Sequence, residues 1–187
     1  MSEPAKPFSD INFGLLIAFF LPGFLGLYAL RPFSQTVNDW FVAILDKDKT
    51  VGASFLLLAS SLVVGLIISA ARDILLDRFH HFLDRYSYFT KVTPTNFEYG
   101  KFIDPNKKAA LDELISNKYR FYQFYGNTML GSLLLLMSNF KRIQVSTNWI
   151  GILINLAVVV LLFVASREAL IDMFRTYEEI IEKIDNP

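Results

Sequence analysis

The sequence predicts an all-α polytopic membrane protein: four transmembrane helices, helical cytoplasmic extensions and a kinked first helix. Three observations carry that expectation. Four stretches contain no Asp, Glu, Lys or Arg: Ile11–Leu30, Thr50–Ala71, Phe121–Phe140 and Ile143–Ser166, of 20, 22, 20 and 24 residues. The 18 acidic and 18 basic residues of this 187-residue chain all fall outside them. A helix needs about 20 apolar residues to cross roughly 30 Å of hydrocarbon, and each stretch is long enough. Finally, Lys and Arg are divided unevenly among the connections, 13 against 5, which sets an orientation.

The first element is a cytoplasmic tail, residues 1–10. Its Glu3 and Asp10, with no small-residue cleavage site after the apolar run, make it a poor signal peptide. The first span, residues 11–30, is therefore expected to be retained. Within it Gly14, Ala18, Pro22 and Gly26 recur every four residues and form a small-residue stripe that admits a neighbouring backbone. Pro22 removes a backbone donor and clashes one turn back, so Pro22-Gly23 is the expected kink.

An outer loop follows, residues 31–49. Val37, Trp40, Phe41, Ile44 and Leu45 stand at helical spacing there, and Trp favours the headgroup boundary. A short helix lying on the outer surface is the expectation. The second span, residues 50–71, carries its own small stripe of Ser61, Gly65 and Ser69.

The cytoplasmic connection, residues 72–120, begins without Gly or Pro, so the second helix should continue into it. Leu75, Phe79, Phe82, Leu83 and Tyr86 would share one face, with Asp, Arg and His on the other. A break at Pro94 and Gly100 precedes Asp104-Pro105, a helix-start signal leading through Leu114 into the third span, residues 121–140. A short outer turn, residues 141–147, makes the third and fourth spans an antiparallel hairpin. The fourth span, residues 148–166, should run on into the tail, residues 167–187, with Leu170, Phe174, Tyr177, Ile181 and Ile184 on one stripe. Phe79, Leu83, Phe174, Tyr177 and Ile181 are the candidate cytoplasmic interface.

The polar residues within the spans are few. Asn127 and Asn155 are expected to hydrogen-bond to another helix or another subunit, or to line a polar pore. His80-His81 stands between Asp77 and Asp84. Adjacent histidines on a helix point about 100° apart, so a solvated or interfacial face with local pairs is favoured over a metal site. Tyr119, Phe121, Tyr122, Phe124 and Tyr125 form an aromatic belt, and Tyr119, Tyr122 and Arg120 are placed to meet headgroups or a ligand.

Several function classes fall away. Without cysteine there is no disulfide, thiol nucleophile or thiolate metal site. No protease, hydrolase, phosphate-loop or dinucleotide motif is present, and no catalytic residue, cofactor or metal site is assigned. Balanced charge argues against direct nucleic-acid binding. The reading is a non-enzymatic, homo-oligomeric integral protein of a bacterial inner membrane with both termini cytoplasmic. It would act in the lipid bilayer as a sensor and scaffold for a cytosolic effector protein. A ligand- or stress-gated pore and a small lipid-handling enzyme are the alternatives.

In size, span count and lack of a catalytic motif the chain resembles the small four-span membrane subunits of bacterial anti-phage systems, such as the membrane component of the Kiwa system. That resemblance implies a sensor of membrane perturbation working with a cytosolic effector; no motif carries residue roles across.

Overall fold

The computed structural model describes residues 9–44, 50–86, 109, 118–143 and 149–185, without the side chains of 9–16, 50, 81, 84–86, 140–143, 178 and 180–185. Five helices account for almost all of them, and there is no strand among the described residues. They are α1 (Ser9–Leu30), α2 (Gln35–Ala43), α3 (Thr50–Tyr86), α4 (Arg120–Ile143) and α5 (Trp149–Asp185). Gly14 lies in α1, and Ile181 in α5 among the undescribed side chains; Leu45, Pro94, Gly100, the Asp104-Pro105 helix start and Leu114 lie outside the described residues.

Two helices, Val51–His80 of α3 and Trp149–Tyr177 of α5, are long and apolar enough to cross a membrane. Ile17–Leu30 of α1 and Gln35–Ala43 of α2 make a pair bent by 116°, a third span if the pair is one unit. These helices are compatible with an integral membrane protein. Both α3 and α5 hold 37 residues, about 55 Å, and continue well past the uncharged stretches because nothing in their sequences breaks a helix.

Helix α1 packs between α3 and α4, and α5 packs on the far side of α4. The α1–α3 crossing is backbone against backbone. A Cβ on Gly23 would collide with the Ser61 carbonyl, and one on Gly65 with the Phe19 carbonyl. Such close approach allows Cα–H to carbonyl contacts in both directions. On the opposite side of α1, a Cβ on Gly131 of α4 would sit 2.8 Å from the Pro22 oxygen. Both small-residue stripes are buried but meet different neighbours: Ser61 and Gly65 receive Phe19 and Gly23 of α1, Gly26 meets Val64 and Ile68 of α3, and Ala18 and Pro22 face Asn127 and Gly131 of α4.

Helix α2 forms as its spacing predicts, but its apolar face turns inward rather than onto a surface. Ser34 caps it, accepting from the Val37 N–H at 3.4 Å. Val37 is buried with Leu27 and Leu57, and Trp40, Phe41, Ile44 and Val64 pack around them. Arg31 fastens the corner. Its Nη2 donates to Asn38 Oδ1 at 3.1 Å, and its guanidinium stands 5.1 Å from the Tyr28 and Phe41 ring centres.

The face of α3 beyond Ala71 also differs from its apolar periodicity. Leu75, Phe79 and Phe82 are 60%, 47% and 56% exposed, whereas Arg72, Leu76 and His80 are buried. A buried guanidinium or imidazole needs partners, and here the partners are on the other helices.

Candidate functional site at the polar end of the bundle

Arg72 is the first charged residue after the uncharged stretch of α3, and its side chain is fully buried. Gly126 of α4 makes room for it: a Cβ there would lie 2.8 Å from Arg72 Cδ and 3.0 Å from Leu76 Cδ2. The guanidinium is thereby pressed against two tyrosines at the start of α4. Its centre lies 4.8 Å from the Tyr122 ring and 5.7 Å from the Tyr119 ring, and Nη2 donates to the Tyr119 hydroxyl at 3.4 Å. The neighbouring Asp73 carboxylate accepts an ion-paired hydrogen bond from the same nitrogen. Nε and Nη1 have no hydrogen-bond partner among the described residues.

One turn on, the Tyr122 hydroxyl donates to Asp77 Oδ1. His80, the next residue along the buried stripe, stacks on Phe163 of α5 with ring centres 5.4 Å apart and lies 6.2 Å from Tyr122. Phe79 meets the edge of the same Phe163 at 5.8 Å. Three helices are thus joined by one layer of aromatic and polar groups. Beside it Leu76, Tyr122, Met129 and Leu170 form a buried apolar cluster against which Phe174 packs. Further out, Lys118 Nζ reaches Asp172 Oδ2 at 2.5 Å and ties α4 to α5.

A second polar contact lies deeper. Pro22 has no N–H, so the helical partner of the Ala18 carbonyl is missing from α1. Asn127 of α4, fully buried, supplies it: Nδ2 donates to Ala18 O at 3.2 Å. This is how a proline is accommodated in a helix shielded from water, by a neighbouring side chain that satisfies the freed group. The Asn127 amide N–H is used in a helix contact and not on a polar lining.

Of the two faces expected for His80, solvated or interfacial, it occupies an interfacial one, buried among rings of other helices, and Tyr122 is spent inside the bundle and not on headgroups. His81 and Asp84 lie among the undescribed side chains. Tyr177 is buried, Phe174 partly so, and Leu83 half-buried; Phe79 is shared between Phe163 and the outside. Asn155 is half-buried on α5. Arg72 and Gly126 were missed. The available signal was that an arginine follows directly on an apolar run and that a glycine stands among bulky aromatics in Tyr125-Gly126-Asn127. Among the described residues no three His, Asp or Glu side chains gather as a metal site would require. No family model, curated protein or solved structure matches this chain.

The Arg72 guanidinium and Tyr122 are buried, while Asp73 is exposed and Asp77 partly buried, so the contact of the cation with the Tyr122 ring is the desolvated part of the layer. A displacement of α4 against α3 by an ångström or two would strip Arg72 of its rings and part Tyr122 from Asp77.

Proposed function

We propose that the chain is a non-enzymatic membrane sensor and scaffold that converts changes in the packing of its spans into movement of a cytoplasmic helical layer. The observation that carries this reading is the buried Arg72–Tyr122–Asp77 layer at which α3, α4 and α5 meet. From it α3 and α5 each run unbroken in both directions, one way through an apolar segment and the other among charges. A continuous helix moves as a rod, so a tilt or shift imposed by the bilayer on one half is delivered to the other.

In this reading α1, α3, α4 and α5 each span the membrane, both termini are cytoplasmic, and α2 closes the outer end. The excess of Lys and Arg on the connection and tails supports that orientation. A cytosolic effector reading the inner layer is the partner class implied by the resemblance to small four-span subunits of anti-phage systems.

The test uses the cysteine-free background of the chain. Spin labels on cysteines replacing Phe82 and Glu179 report the distance between the inner ends of α3 and α5. In lipid nanodiscs of short and long acyl chains the distribution should shift by about 2 Å or more. In Arg72→Met the shift should disappear while both spans remain inserted. An identical distribution in both lipids would remove the sensor reading. Recovery of a cytosolic protein with the tagged chain from native membranes, lost on truncation after Arg167, would identify the partner.

A further inference from the structure

Arg31 is the first charged residue after the 20 uncharged residues Ile11–Leu30, and it stands at the corner where α1 turns by 116° into α2. Its guanidinium is held in place. Nε and Nη2 both donate to Asn38 Oδ1, at 3.3 and 3.1 Å, and the cation lies against the Tyr28 and Phe41 rings. An amide and two rings fix the position of the group, and none of them carries the opposing charge. Arg31 makes no ion pair among the described residues. The Asp39 carboxylate, next to Asn38 in sequence, accepts from Gln35 Nε2 at 2.7 Å instead. Arg72 and Lys118, at the other end of the bundle, each have a carboxylate, Asp73 and Asp172.

We infer that Arg31 is a binding site for the phosphodiester of a membrane phospholipid. The two N–H groups given to Asn38 lie on one edge of the guanidinium, which leaves the Nη1–Nη2 edge without a partner among the described residues. That edge is a fork of two parallel donors and fits the two unesterified oxygens of a phosphodiester. A fork already fixed by Asn38 and the rings loses little rotamer freedom on binding. The surroundings favour an anion that carries acyl chains. Tyr28 and Leu30 on α1 and Val42, next to Phe41 on α2, are exposed, and Arg31 itself is half-buried. The cation thus stands where an apolar surface ends, as a residue at the headgroup boundary does. A soluble anion gains the charge contact alone, whereas a phospholipid gains it together with apolar contact. The inference requires this corner to meet a bilayer surface and is otherwise independent of the sensor reading.

Three probes test it on the full chain in maltoside detergent: dioleoyl phosphatidylglycerol, uncharged dioleoylglycerol, and glycerophosphoglycerol, which is the headgroup without acyl chains. Native mass spectrometry counts the bound molecules, and thermal unfolding follows their effect. Phosphatidylglycerol should bind and raise the unfolding temperature; the other two, at the same concentration, should do neither. Arg31→Gln should weaken the tightest phosphatidylglycerol binding about tenfold. Arg31→Lys, which keeps the charge and loses the fork, should weaken it by less. Arg78→Gln, which removes an exposed cation of α3, should leave it unchanged. If Arg31→Gln lowers stability without lipid, the binding of Arg31→Lys at unchanged lipid-free stability decides in its place. Asp46 and Asp48 lie outside the described residues. Were either the counterion, the Arg31 variants would lose lipid-free stability and keep their lipid binding, which would overturn the inference. So would equal binding of dioleoylglycerol, an equal effect of glycerophosphoglycerol, or the same weakening in Arg78→Gln.

Discussion

Helices α4 and α5 lie side by side and invert the arrangement that water imposes. The central helix, α4, is the more polar: Asn127, Thr128, Ser132 and Ser138 are all buried between its neighbours. The peripheral α5 turns Ile150, Leu153, Ile154, Leu161 and Val164 outward. In water this sequence order would place the apolar helix at the centre. In hydrocarbon an exposed leucine costs nothing, while a hydroxyl or amide needs a partner that only another helix can give. The comparison teaches that polarity marks the inside of this bundle, and that the functional candidates are to be sought among its buried polar groups.

Four tests, using six substitutions, probe that contrast in descending order of expected effect. Gly131→Leu on α4 should be the most damaging, since even a Cβ meets the Pro22 oxygen at 2.8 Å and Leu25 Cβ at 3.2 Å, so α1 and α4 must part. A loss of about 3 kcal/mol or more is expected. The matched change on α5, Leu161→Ala, at a 68% exposed position, should cost no more than about 0.5 kcal/mol. Thermal unfolding in detergent compares the two, and equal losses would erase the distinction between the helices.

Arg72→Ala should come next. It removes the cation that two tyrosine rings enclose and leaves a space over Gly126. Truncating a buried, paired charge costs about 3 kcal/mol, and denaturant titration followed by tyrosine fluorescence should register it.

Asn127→Leu should cost about 1–2 kcal/mol because it leaves the Ala18 carbonyl without a donor. Pro22→Ala restores an N–H one turn from that carbonyl. The double variant should therefore recover most of the loss, giving a coupling of about 1 kcal/mol in a double-mutant cycle. Simple additivity would mean that Asn127 does not serve the gap left by the proline.

Lys118→Ala, two residues before α4, should be milder than any of the α4 changes. The pair with Asp172 is largely solvated, so less than about 1 kcal/mol is expected, shrinking further as salt is raised. A large, salt-independent effect would mean that this tie, and not the Arg72 layer, holds α4 to α5.

Much of the helical plan was legible from the chain because charge and its absence are read directly. Helix α1 ends at Leu30 just before Arg31, α2 spans the spaced apolar residues of the loop, and α3 and α5 continue where no glycine or proline stops them. What could not be read was direction. Periodicity located an apolar stripe at Leu75, Phe79 and Phe82, and the fold leaves that stripe exposed within the chain. The buried side of α3 was the one with Arg72 and His80. The site was legible only in fragments. Pro22 and Asn127 were each conspicuous, yet 109 residues separate Ala18 from Asn127, and nothing local says that one fills the gap left by the other. The stripes at Ala18–Gly26 and Ser61–Ser69 announced close packing, and only the fold shows that Ala18 and Pro22 meet α4 while Ser61 and Gly65 receive Gly23 and Phe19 of α1.

The central claim is that the Arg72 layer lies at the inner edge of a membrane with α5 crossing from one side to the other. Single cysteines replacing Gln35, Leu161 and Asp172, exposed in turn to a membrane-impermeant maleimide, test it most directly. Gln35 should be labelled in intact cells, Asp172 only after the inner membrane is opened, and Leu161 in neither condition. Labelling of Leu161 from water, or of Gln35 and Asp172 from the same side, would contradict the account.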